Sequence, residues 1–297
     1  MISPLFCRAL LATIIAASAG LAALLASAQQ QEMSDTSGQR DAIEVGRRQA
    51  ELREAINRFG DSDPRILGPL ARLGYAFIEA SRYEDAERQF LRQAAIVKER
   101  FPANHIEVSH PLHHLGETYR RMGRSAEAET LLRQALEMRE RLMGPQHEFV
   151  GRTAMALAQT LSWLGRFQDA EAMFRRALSV AEVKGAESPE AAAARLAFAD
   201  FYIGSFRFAD AEPLLKSALA IRERTFGTNH RFLPPILVSL GRVYRWTERY
   251  GEAEQAVKRA LAIREAEYGP EHEFVGHTAL ELGILYMGKV AIRNRSG

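Results

Sequence analysis

Three histidines, His110, His113 and His114, stand at i, i+3 and i+4, a spacing that sets three imidazoles on one face of a helix. Imidazole is the commonest protein ligand for a transition metal and titrates near neutral pH, so this triplet is the strongest candidate for chemistry in the chain. No carboxylate or further histidine pair is tied to it by a recognised motif, and the expectation is a polar binding surface rather than a metal centre. A second tract, His272-Glu273-Phe274-Val275-Gly276-His277, approaches the zinc-protease signature. H-E-x-x-H needs its second histidine four residues on, and here it stands five on. The tract recurs as His147-Glu148-Phe149-Val150-Gly151-Arg152 without that histidine. The first histidine is therefore read as a linker residue, like His105 and His230, whose task is to hydrogen-bond a turn. Nucleophile-elbow, phosphate-loop and dinucleotide fingerprints do not occur. The reading is a non-catalytic chain that needs no cofactor.

The elements that carry these residues repeat. Leu73-Gly74, Leu115-Gly116, Leu157-Ala158, Phe198-Ala199, Leu240-Gly241 and Leu282-Gly283 recur at intervals of 42, 42, 41, 42 and 42 residues. An alanine follows twelve residues after the small residue of each of the first five: Ala86, Ala128, Ala170, Ala211 and Ala253. Within one period, Leu112, Leu115, Gly116 and Tyr119 lie at helical spacing and Met122-Gly123-Arg124 breaks the pattern. Ala128, Leu131, Leu132, Ala135 and Leu136 then form a second stripe that Gly144-Pro145 ends. Each period reads as helix, tight turn, helix and linker, with the small residues where two antiparallel helices cross. A fixed period of this size marks a solenoid, in which each unit buries its apolar face only by stacking on its neighbours.

Leu115-Gly116, Tyr119, Ala128, Leu132 and Ala135 resemble the tetratricopeptide repeat consensus. The 42-residue period, the linkers Gly144-Pro145-Gln146-His147 and Gly269-Pro270-Glu271-His272, and the tract Ala253-Glu254 to Glu265 are similar to the kinesin-light-chain subtype. The resemblance implies an all-α fold, a solenoid of stacked antiparallel helix pairs forming a right-handed superhelix whose first helices line a concave groove. It also implies which repeat positions face that groove: Glu117, Gln159, Asp200 and Arg242 at one, Arg120 and Arg245 at a second, and Arg121, Trp163 and Trp246 at a third. Tryptophan and arginine are enriched at binding hot spots. Arginines there imply a protein or peptide partner bearing acidic residues or a free C-terminus. The subtype often carries asparagine at the position held here by Arg72, His114, Ala156, Ala197, Ser239 and Glu281, so the pattern departs from an extended-peptide clamp.

The ends differ from the repeats. Residues 1–28 read as a signal peptide, with an apolar alanine-rich stretch over residues 9–25 and Ala26-Ser27-Ala28 as cleavage site, and the alternative is an uncleaved anchor. Residues 29–40 read as a flexible linker, 41–65 as an N-terminal capping helix from a degenerate repeat, 66–288 as five full repeats plus a terminal half repeat, and 289–297 as a basic tail. The expected location is periplasmic or secreted, or inner-membrane anchored if the signal stays. The one cysteine, Cys7, precedes the apolar stretch, so a processed chain has no thiol chemistry. With 39 Lys and Arg against 37 Asp and Glu and no basic block, nucleic acid is not an expected partner. Two functions fit best: an envelope adaptor holding a partner in its groove, or a self-associating subunit using the apolar terminal residues Ile284, Leu285 and Met287; a metal-dependent activity at His110, His113 and His114 is a weaker third.

Overall fold

Both apolar stripes of each period form helices, and a break of three residues joins them into antiparallel pairs in the computed structural model, which describes residues 38–293. Helix α1 spans residues 38–59. Five pairs follow: α2 (Leu67–Glu79) with α3 (Tyr83–Arg100), α4 (Ser109–Arg121) with α5 (Ser125–Met143), α6 (Glu148–Trp163) with α7 (Phe167–Val183), α8 (Pro189–Gly204) with α9 (Phe208–Phe226), and α10 (Pro234–Trp246) with α11 (Tyr250–Tyr268). The last helix, α12 (Glu273–Arg293), has no second member. Short 3-10 turns, Pro64–Ile66 and Ile106–Val108, precede α2 and α4. No strand occurs among the described residues.

Two boundaries move from the sequence reading. The capping helix begins at residue 38, inside the expected linker, and α12 runs on to Arg293, so residues 289–293 of the expected tail are helical. The signal peptide, its anchor alternative and most of the linker lie outside the described residues. Among the described residues no helix is long and apolar enough to cross a membrane.

Close packing explains the small residues. A Cβ added at Gly74 would stand 2.4 Å from the Phe90 ring, at Gly116 2.7 Å from Leu132 Cγ, and at Gly241 2.4 Å from Val257 Cγ2. The alanines that follow, Ala86, Ala128, Ala170, Ala211 and Ala253, are fully buried. Together they let first and second helices of a pair touch backbone to side chain.

From α4 on, consecutive pairs are stitched by an arginine before the second helix. Arg124 reaches Glu127 at 2.7 Å on its own helix and Glu87 at 3.1 Å on the preceding second helix. Arg166 repeats this with Asp169 and Glu129, Arg207 with Asp210 and Glu171, and Arg249 with Glu252 and Glu212. Three of these guanidiniums also lie over an aromatic ring of the first helix, at 3.8 Å for Arg124 on Tyr119, 4.4 Å for Arg207 on Tyr202 and 4.3 Å for Arg249 on Tyr244.

The turns and linkers bear out local sequence chemistry. His105, His147, His230 and His272 each accept at Nδ1 from the backbone N–H two residues on, at 3.2–3.3 Å. They do at these linkers what serine does at α8, where Ser188 Oγ accepts from Ala191 N at 3.1 Å. The turn within each pair needs one left-handed residue, supplied by Gly123 and Gly165 but also by Ser81, Phe206 and Glu248 at φ 56°, 58° and 61°. A side chain there costs about 1 kcal/mol or more. Glu248→Gly is accordingly expected to raise stability by about 1 kcal/mol, read from a urea melt, and a loss would contradict the strain argument.

Candidate functional site

A concavity of about 820 Å³ opens across the first helices α2, α4, α6 and α8 and is floored by second helices α5 and α7. The histidine triplet forms one wall. On α4 the spacing of His110, His113 and His114 does bring the rings together, with His113 and His110 centred 5.9 and 6.3 Å from His114. His113 and His114 are buried. His114 Nδ1–H donates to Gln93 Oε1 at 2.9 Å, and Gln93 Nε2 passes the chain of bonds to the Leu67 carbonyl at 3.2 Å. His113 Nε2 stands 3.9 Å from Glu117, and its buried Nδ1 has no hydrogen-bond partner among the described residues. Tyr75 closes this side, edge-on to His114 at 5.2 Å.

Arg139, from α5, is the floor. Its side chain is fully buried and no carboxylate neutralises it among the described residues. Four acceptors hold it instead: Ser109 Oγ at 3.2 Å, the Phe149 carbonyl at 3.2 Å, Thr153 Oγ1 at 2.5 Å and His110 Nδ1 at 3.3 Å. Burial lowers the Arg139 pKa to about 10. The same burial, and then the Arg139 charge, depresses His110 and His113, so these imidazoles stay neutral. A guanidinium 3.3 Å from His110 is a poor neighbour for a metal cation. No group of three or more histidine, cysteine or acidic residues suited to a metal occurs among the described residues.

Small residues in two adjacent pairs open the space. Arg139, Arg222 and Arg264 occupy one repeat position, and each donates to the carbonyl ten residues on, Phe149, Phe232 and Phe274. In α7 that position is Ala181. On α8, Ala193 and Ala194 replace the Arg152 and Thr153 of α6. These alanines, with Ala197, line one side of the concavity with small apolar groups. Facing them are Arg120, Arg121, Arg139, Arg152 and Lys184, against Glu117, Glu148 and Glu190. Lys184 is taken by Glu148 at 2.5 Å, whereas Arg121 and Arg152 form no ion pair among the described residues. Arg120 is half-buried, and among the described residues its Nε lacks a partner and its nearest carboxylate, Glu117, is 4.0 Å away. The groove therefore has a surplus of positive charge in an otherwise balanced chain.

The residues expected to share one groove divide. Glu117, Arg120, Arg121 and Gln159 line the concavity. Trp163 does not: it lies beside the turn after α6 and is 78% exposed. Trp246 is also exposed and stacks on Phe208 at 5.8 Å, with Arg245 5.1 Å from its ring. Asp200 accepts from Ser239 Oγ at 2.8 Å and remains open to water, although surrounding protein raises its carboxyl pKa. Arg242 donates through Nε to Glu281 at 2.8 Å. Tyr75, at the same repeat position as Glu117 and Gln159, lines the concavity as its position implies, whereas sequence reasoning missed Arg139, Arg152 and the alanine wall. The recurrence of arginine at the Arg139 position, broken by Ala181, was the signal available.

Comparisons with known proteins agree with this architecture. The family model described as Tetratricopeptide repeat matches residues 64–141, 107–183, 149–224 and 232–289. No curated protein matches. Among solved structures, BtubC (BKLC) from P. vanneervenii is 21% identical with a TM-score of 0.61, over 79% of this chain and 92% of that one. A putative kinesin light chain with nearly identical TPR-like repeats from Podosopora anserina is 20% identical with a TM-score of 0.58, over 69% and 98%. The apo quorum sensor NprR from B. thuringiensis is 13% identical with a TM-score of 0.61, over 83% and 65%. At these identities the likeness is one of fold.

Proposed function

The chain belongs to the tetratricopeptide repeat family, and from that premise we propose that it is a non-catalytic adaptor that holds a partner protein in the groove of α4, α6 and α8. The observation that carries this reading is the surplus of cationic groups there, with Arg121 and Arg152 exposed, and unpaired among the described residues, beside an alanine wall. Such a surface suits a segment that presents a carboxylate to the arginines and a small apolar group to Ala193, Ala194 and Ala197. An acidic side chain or a free C-terminus would supply the carboxylate. The buried histidines support the walls of the groove and remain neutral. The envelope location rests on the sequence of residues 1–28, and the partner is sought there.

The immobilised chain should capture a partner from envelope extract, identified by mass spectrometry. Each of Arg121→Glu and Arg152→Glu is expected to weaken capture about tenfold, and added salt to weaken it further. Both side chains are exposed, so the melting temperature should hold. Capture that ignores both reversals would move the site elsewhere on the molecule.

A further inference from the structure

One face of α4 carries polar atoms that the chain itself leaves underpaired. His113, Glu117 and Arg120 stand at i, i+4 and i+7 on that helix, and all three line the concavity. The side chain of His113 is 9% exposed and that of Arg120 11%. Among the described residues His113 Nδ1 and Arg120 Nε have no hydrogen-bond partner. Glu117, between them, is loosely held. Tyr75 Oη at 3.5 Å, His113 Nε2 at 3.9 Å and Arg120 Nη2 at 4.0 Å all stand beyond the usual length of a hydrogen bond. Burying polar groups without partners is costly, so three such groups on one helix face point to an occupant.

The hydrogen-bonding chemistry of the three specifies what that occupant is. Burial keeps the His113 ring neutral, with one hydrogen to place. Glu117 lies nearest Nε2 and draws the hydrogen there, which leaves Nδ1 a bare acceptor. The face therefore needs a donor at His113 Nδ1, a donor at Glu117 and an acceptor at Arg120 Nε–H. A primary carboxamide has that inventory, two N–H donors and one carbonyl acceptor at the end of a side chain. A backbone amide has a single N–H. An ammonium has no acceptor and would meet Arg120, Arg121 and Arg139. A carboxylate has no donor and would meet Glu117.

We infer that this face of α4 is a subsite for the carboxamide of an asparagine or glutamine in the partner segment. The inference rests on the reading of the groove as the partner's seat and adds a second requirement to it. Beside the carboxylate that Arg121 and Arg152 receive, the segment carries a neutral amide. His113 Nδ1 and Arg120 Nε are closed to solvent, so the two side chains turn toward the amide as it enters. The bonds formed are ones that these atoms lack in the free chain, which favours the bound arrangement.

Labelled hexapeptides, acetylated and ending in an N-methylamide so that no other primary amide or terminal charge is present, serve as probes. Each carries one aspartate and, at each spacing from it, asparagine, glutamine, aspartate, alanine or leucine in turn. At one spacing the full chain should bind the asparagine or glutamine peptide about tenfold more tightly than the alanine peptide or the isosteric second aspartate, read by fluorescence anisotropy. Glu117→Ala should abolish that preference and leave the salt-sensitive contribution of the first aspartate in place. Glu117 makes no close bond, so the fold should hold. In chain carrying isotope-labelled histidine, the favoured peptide should move the Nδ1 resonance of His113, and the leucine peptide should not. Absence of an asparagine or glutamine preference, or a preference that survives Glu117→Ala, would overturn the subsite. The groove reading then stands if Arg121→Glu still weakens binding of the aspartate peptides, and falls with the subsite if it does not.

Discussion

Lowering the pH from 7 to 4 should cost the folded state about 3 kcal/mol through His114 alone, with His113 adding in the same direction. Burial, with His110 and Arg139 acting in the same sense, pushes the His114 pKa down from 6.5 to about 3. A histidine whose folded pKa is depressed binds fewer protons folded than unfolded. Its contribution is whole above pH 6.5 and drains away as the pH falls toward 3. The groups facing the pair reinforce this: Arg139 is a buried cation, and the nearest carboxylate, Glu117, stands 3.9 Å from His113 Nε2. Urea midpoints at successive pH values would give the slope. His114→Phe starts lower, since Gln93 Oε1 loses its donor, yet its stability between pH 6.5 and 5 should fall less steeply, by about 1.4 kcal/mol per pH unit. An unchanged slope in that variant would show that His114 titrates normally in the folded chain.

The same substitution at one repeat position should have opposite effects at the two ends of the solenoid. Gly74→Ala sets a methyl 2.4 Å from the Phe90 ring, which cannot swing away because Tyr75 and His114 pack against it at 5.7 and 4.9 Å. Overpacking of this kind costs about 1–3 kcal/mol and should separate α2 from α3. Gly283→Ala meets nothing within 4 Å. There the gain in helix propensity, up to about 1 kcal/mol, is unopposed. Hydrogen exchange resolved by helix would read both, with protection falling in α2 and rising in α12. Protection that rose in both helices would mean the crossing at Gly74 is looser than the geometry shows.

These expectations depend on features of two kinds. The period, the three-residue breaks, the glycines and alanines at the helix crossings and the histidines that cap linkers were all legible in the sequence by itself. Each is a local or strictly periodic requirement: a helix needs its cap within two or three residues, and a crossing needs a small residue once per turn of the repeat. The tertiary structure alone decided which side chains meet in the groove. Trp163 and Arg121 occupy the same repeat position, but the tryptophan stands at the exposed turn edge while the arginine lines the concavity. Arg139 belongs to a second helix and was not a groove candidate, yet it is the floor. The concavity is bounded by Ala181, Ala193 and Ala194, small residues where α5 has Arg139 and α6 has Arg152 and Thr153, and lost volume becomes a cavity only once neighbouring helices are stacked around it. Burial, which holds His113 and His114 neutral, likewise comes from residues far apart in the chain, and a one-dimensional pattern carries no measure of it.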